Sequence, residues 1–149
     1  MKKELEDKLI KAFPNLYIDC DSDKGPMETC MFWGFECSSG WYKLIWDLSE
    51  KLEALIIKYK EENPGEEWSP RAMQVKEKMG GLRFYLSGET DEMSKEVEKA
   101  EQIADETCEE CGKPGALKHR GTWYRTLCDD CRDKENYEDC ERNEDEEDI

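Results

Sequence analysis

Two Cys-x-x-Cys pairs, Cys108-Glu109-Glu110-Cys111 and Cys128-Asp129-Asp130-Cys131, stand sixteen residues apart near the end of this chain. Two residues between cysteines let one tight turn aim both sulfurs at a single ion, and a second such turn completes a tetrahedron. The first pair runs on into Gly112-Lys113-Pro114-Gly115, residues that let a backbone reverse sharply. The spacing predicts one zinc ion held by Cys108, Cys111, Cys128 and Cys131. With sulfur at every corner no position is left for water or substrate, so the metal would be structural. Spacing alone leaves two disulfides, or four free thiols, as the alternative.

Redox context bears on that choice. The opening Met1-Lys2-Lys3-Glu4-Leu5-Glu6 is charged where a secretion signal would be apolar, and no apolar run approaches a membrane span. Eight cysteines without such a signal point to a reducing cytoplasm and to metal ligation, with no membrane partner. Charged residues make up 40% of the chain and the net charge is -16. From Asp129 onward there are twelve acids and three bases, so over half of the excess lies in the last 21 residues. Composition of that kind buries little apolar surface, which predicts an acidic tail over 133–149, with disorder from Asn143 to Asp148.

Upstream, hydrophobic periodicity predicts three helices. Leu5, Leu9, Ile10 and Phe13 mark one from Lys2 to Phe13, closed by Pro14. Trp41, Leu44, Ile45, Leu48, Leu52, Leu55, Ile56 and Tyr59 mark a second, with Ser38 or Ser39 as its cap and Asn63-Pro64-Gly65 as its stop. Met93, Val97, Ala100 and Ala104 mark a third, from Asp91 to Glu106, running directly into Cys108. Short strands are expected over Asn15–Cys20 and Met27–Cys37, separated by a turn at Asp21–Pro26. A hairpin with Gly80-Gly81 as its turn would pair Met79 with Leu82, Glu77 with Phe84 and Val75 with Leu86. The expected fold is α+β: three helices packed on a small antiparallel sheet (1–106), a docked four-cysteine zinc ribbon (107–132) and the acidic tail.

Catalysis finds little support. His119 is the single histidine, and neither a phosphate-binding loop nor a nucleophile elbow occurs. Binding surfaces are better represented. The hairpin's outer face gathers Lys76, Lys78, Arg83 and Tyr85, with Arg71 nearby, suited to a phosphorylated small molecule or an acidic protein patch. The plainer account is pairing with neighbouring acids. Glu77 falls on the apolar face, either at the sheet edge or buried with a partner. The ribbon loop holds Lys118, Arg120, Trp123 and Arg125 with no acid between Gly112 and Leu127, a composition suited to nucleic acid. There the plainer account is neutralisation of thiolate charge. Phe32, Trp33, Phe35 and Trp41 form an aromatic run for which core packing is the plainer account, with one apolar face lining a pocket or meeting a protein partner as the alternative. Cys20, Cys30, Cys37 and Cys140 show no metal spacing.

The stretches Pro26–Met31, Trp33–Cys37 with Gly40-Trp41-Tyr42, and Val75–Lys78 with Gly80–Tyr85 resemble a group of small proteins encoded by bacteriophages and prophages. The Thr-Cys-x-x-Cys-Gly-x-Pro-Gly knuckle at Thr107–Gly115 and the Leu-Cys-x-x-Cys knuckle at Leu127–Cys131 share that resemblance, which spans Pro14 to Cys131. It implies action in a bacterial cytoplasm and supplies no catalytic residue. The resulting expectation is a phage accessory protein that engages, and inhibits, a host defence or nucleic-acid-processing factor. A binder of a phosphorylated nucleotide or nucleic acid is the alternative.

Overall fold

The computed structural model describes residues 1–20 and 30–141, without the side chains of Cys30 and Phe32. Helices α1 (Lys3–Ala12), α2 (Tyr42–Glu62) and α3 (Asp91–Ala104) accompany a sheet of β1 (Phe35–Glu36), β2 (Arg71–Lys78) and β3 (Gly81–Ser87). A second sheet joins β4 (Ala116–Arg120), β5 (Trp123–Leu127) and β6 (Glu138–Asp139), with a short helix α4 (Asp129–Lys134) before β6. The fold is mixed α and β, with four helices where three were expected. The first sheet is not purely antiparallel, because β1 runs parallel to β2.

The apolar stripes do what their spacing requires. Trp41, Ile45, Leu52 and Ile56 turn one face of α2 into the core, where they meet Val75 and Leu82 of the sheet and Met93 of α3. Each such side chain removed from water contributes about 1.5–3 kcal/mol, so this stripe is a substantial part of the domain's stability. The helix stops where expected, and Asn63 caps it by donating from Nδ2 to the Tyr59 carbonyl at 2.8 Å. Its start differs from expectation. Neither serine hydroxyl caps it: Ser39 Oγ accepts from the Lys2 amide, and Ser38 Oγ from Arg125.

The two expected strands before α2 are mostly replaced by turns. Residues Ile18–Cys20 form a single 3-10 turn, since the Asn15 and Leu16 amides are taken by the Glu53 carboxylate of α2 at 3.1 and 2.8 Å. Only one ladder-like bond survives, from the Ala72 amide to the Leu16 carbonyl at 2.8 Å. Cys30–Trp33 forms another 3-10 turn, closed by the Gly34 amide on the Met31 carbonyl. Gly34 then takes φ +71°, and among the described residues of the expected Met27–Cys37 strand only Phe35 and Glu36 are strand. The expected turn at Asp21–Pro26 lies outside the described residues.

The hairpin is also shifted. Val75 pairs with Phe84, Glu77 with Leu82 and Lys78 with Gly81, so the turn is Met79-Gly80. Both turn residues have positive φ, 52° and 85°, as the tightest hairpin turn demands. Met79 accepts this strain while Glu77 Oε1 receives the Gly80 amide at 2.7 Å, which gives Glu77 its place as the turn's clasp. A slip of two residues preserves side-chain faces, so Val75, Leu82 and Phe84 still face the core. The free edge of β3 is covered by α3, where Glu101 accepts the Phe84 amide at 3.1 Å.

Glu53 is buried and holds the chain leaving α1 against α2 through three bonds, two to backbone and one to Asn15 Nδ2. Glu53→Ala would strand those donors, and charged acceptors of this kind are worth about 1.5–3 kcal/mol apiece. Urea unfolding of Glu53→Ala is expected to show a loss of about 3 kcal/mol, with a smaller loss for Glu53→Gln.

Candidate metal centre

Beyond Ala104 the chain turns immediately into the first knuckle. The Cys108 amide donates to the Lys113 carbonyl at 2.7 Å and the Gly112 amide to the Cys108 carbonyl at 2.9 Å. Gly112 sits at φ +80°, a conformation that reverses the chain after Cys111 at little cost for glycine. The second knuckle is the end of β5 joined to the first turn of α4. Cys128 is extended, and its sulfur accepts the Cys131 amide at 3.5 Å.

These two turns bring the four sulfurs of Cys108, Cys111, Cys128 and Cys131 within 4.8 Å of one another. Cys111 Sγ and Cys128 Sγ are 3.6 Å apart, close to the edge of about 3.8 Å in a tetrahedron with zinc–sulfur bonds of ~2.3 Å. The seven cysteines with described side chains are free thiols rather than disulfides. The Cys131 amide lowers the Cys128 thiol to about 7, favouring the thiolate that a metal requires. Four cysteines so placed can hold a metal ion.

The knuckle is fixed to the rest of the protein by the residue after its first cysteine. Glu109 is buried, and one carboxylate oxygen accepts the Ser38 amide at 2.8 Å while the other takes Arg125 Nε at 3.0 Å. Its carbonyl receives the Gly40 amide at 2.7 Å, and its own amide pairs with the Thr126 carbonyl at 2.9 Å. Next to it, Trp41 Nε1 donates to the Thr107 carbonyl at 2.9 Å. Gly40 has to be glycine here, because a Cβ would overlap the carbonyl oxygens of Cys108 and Glu109. On the other side, Thr126 Oγ1 donates to the Gly80 carbonyl at 2.7 Å. Nothing in periodicity or spacing singles out Glu109 among so many acids.

The expected nucleic-acid set is largely committed elsewhere. Lys118 is buried and paired with Asp139 at 2.6 Å and Asp129 at 3.2 Å. Arg125 is paired with Glu109 and Glu110. Arg120 lies 4.7 Å over the Tyr137 ring and donates to the Glu135 carbonyl. Trp123 projects at 72% exposed, and Arg120 is exposed as well. The same contacts give structure to the first part of the expected acidic tail. Tyr137 is buried, β6 pairs with β4, and Lys118 with Arg132 holds the Asp139 carboxyl down at about 2. The disorder expected from Asn143 to Asp148 concerns residues outside the described set.

The aromatic set is divided. Phe35 and Trp41 are 3% and 0% exposed and belong to the core, so neither can meet a partner; Trp33 is at the surface, and Phe32 lies outside the described side chains. The cationic set remains together. Lys76 and Arg83 are directly opposite in the ladder, Lys76 Nζ lies 5.8 Å from the Tyr85 ring centre, and Lys78 is exposed at the strand end. Arg71 does not join them, being paired with Asp19 at 3.1 Å.

Fold and site together define a mixed α/β protein with a four-cysteine cluster docked on its core. No family model, curated protein or solved structure matches the chain. No helix among the described residues is long and apolar enough to cross a membrane.

Removing the Glu109 carboxylate strands the Ser38 amide and takes one of two carboxylates from Arg125, which keeps Glu110; charged hydrogen bonds of this kind are worth about 1.5–3 kcal/mol apiece. Glu109→Ala is therefore expected to lower unfolding free energy by about 3 kcal/mol. Hydrogen exchange at the Ser38 and Gly40 amides should accelerate with it, while amides of α1 remain protected.

Proposed function

We propose that this chain is a phage-encoded accessory protein that binds a host bacterial protein and inhibits it, with one zinc ion as a structural staple. The observation that carries the zinc assignment is the closed set of four sulfurs within 4.8 Å. Four thiolates saturate tetrahedral zinc, so Cys108, Cys111, Cys128 and Cys131 would hold the ion and leave no place for substrate or attacking water. A metal held this way contributes to folding: it fixes the knuckle that carries Glu109 against the Ser38 and Gly40 amides. The assignment to phage, and with it a bacterial host, rests on the resemblance of the Pro14–Cys131 region. Binding is favoured over nucleic-acid recognition because Lys118 and Arg125 are already neutralised by carboxylates of this chain.

Mass spectrometry of the undenatured protein is expected to find one zinc per chain. Chelation should lower the Tm by about 10 °C or more, given the large share of folding energy that structural zinc supplies. A fold that survives both zinc removal and alkylation of the four thiols would overturn the staple. Affinity capture from bacterial lysate is expected to retain one host protein, indifferent to added nucleotides. Retention of nucleic acid alone would overturn the protein-binding assignment.

A further inference from the structure

Cross-strand neighbours of like charge destabilise a sheet, because their side chains are held about 5 Å apart on one face. This chain contains two such pairs of cations, one in each sheet, and it treats them differently. In the second sheet Lys118 stands opposite Arg125. Asp129 and Asp139 neutralise the first, and Glu109 and Glu110 the second. In the first sheet Lys76 stands opposite Arg83, with Lys78 two residues along the same strand and on the same face. Among the described residues none of these three forms an ion pair, in a chain of 38 acids and 22 bases. The carboxylate nearest by register is Glu36, beside Lys76 across the β1–β2 pairing, and it accepts instead from Gln74 Nε2 at 3.3 Å. Arg83 turns one guanidinium nitrogen back to the Leu82 carbonyl, and Lys76 lies against the Tyr85 ring.

We propose that the outer face of the β1–β2–β3 sheet is a docking surface for an acidic protein segment. Partner Asp and Glu side chains would do for Lys76, Lys78 and Arg83 what Asp129, Asp139, Glu109 and Glu110 do for the second sheet. Tyr85, 43% exposed beside them, adds apolar contact area. A protein carboxylate is favoured over a nucleic-acid backbone because side-chain carboxylates are what neutralise the equivalent cross-strand pair in the second sheet. This inference rests on the protein-binding assignment above and names the surface and chemistry that serve it.

Three probes separate the outcomes: a dye-labelled peptide of alternating Asp and Glu, a dye-labelled single-stranded oligonucleotide, and inorganic phosphate as competitor, read by fluorescence anisotropy at low salt. The peptide is expected to bind, and Lys76→Glu or Arg83→Ala to weaken it by about tenfold or more, the equivalent of one lost charge-assisted contact. Lys8→Glu reverses an exposed cation of α1 and changes net charge equally; it should alter binding by less than about twofold. Thermal unfolding of the free protein supplies a second readout. Lys76→Glu gains an opposite charge at Arg83 and a like charge at Glu36, so its Tm should stay within about 3 °C of wild type even as binding is lost.

Absence of peptide binding, equal weakening by Lys8→Glu, or a Tm for Lys76→Glu so far below wild type that the lost binding reflects unfolding would each overturn the inference. So would tighter binding of the oligonucleotide, or displacement of the peptide by millimolar phosphate, through the same residues. Lysate capture keeps the two claims apart. A host protein held equally by wild type and Lys76→Glu would remove this surface and leave the protein-binding assignment standing.

Discussion

The second sheet depends on Glu109, which lies between two candidate metal-ligating positions and makes its closest bonds to residues that are not ligands. Ser38 and Arg125 hold its carboxylate, while its backbone joins Gly40 to β5. The sheet's own apolar cluster is small, comprising Cys108, Leu127, Cys128, Cys131 and Tyr137. Three of those five are cysteines, so the cluster and the candidate metal site are one object. Units this small rarely stand without a metal or disulfide. This one has both a sulfur tetrad able to hold an ion and a docked wall formed by Trp41 and Gly40.

Charge does in the last third what burial does in the first two. Between Asp129 and Glu141 only Tyr137 supplies a large buried side chain besides the cysteines. The segment is held by cations reaching into it: Lys118 to Asp129 and Asp139, and Arg132 to Asp129, Asp133 and Asp139. Exposed pairs are each worth about 0–1 kcal/mol. Lys118 differs because its side chain is 8% exposed, so its attraction to Asp139 is less screened than the surface pairs are. The fold of this segment thus follows from one buried lysine and the pairing of β6 with β4 rather than from its composition.

Those facts explain which features were legible in the sequence. The stripe of α2 and the two knuckles were, because each is a local repeat whose spacing alone fixes geometry. The third helix was, because its alanine and methionine stripe ends at a cysteine knuckle. The strand expected over Asn15–Cys20 was not, because a carboxylate 37 residues downstream of Leu16 takes its amide. The hairpin register was misjudged by two residues because Met79, rather than Gly81, adopts the left-handed conformation. Composition alone hid the order of residues 132–141, since it counts acids without showing which lysine they surround. In the candidate surfaces, alternation located the cationic face of β2 and β3, but it could not show that Phe35 and Trp41 are sealed in the core.

The acid excess itself has a structural use. Among the described residues four glutamates accept a backbone amide at a turn or element end, Glu6 from Phe35, Glu53 from Leu16, Glu77 from Gly80 and Glu109 from Ser38, and Glu101 accepts the Phe84 amide on the free edge of β3. Unpaired buried amides are costly, and a carboxylate is the strongest acceptor a side chain offers. In a chain with short strands and many turns, these acids replace ladder bonds that a longer sheet would have supplied. Glu77 adjoins both Lys76 and Lys78 in sequence, yet points to the other face and clasps the turn. Glu36, beside Lys76 in the ladder, accepts from the Gln74 side chain instead. The acids nearest the cations of the first sheet are thus engaged elsewhere, one by backbone and one by a side-chain amide.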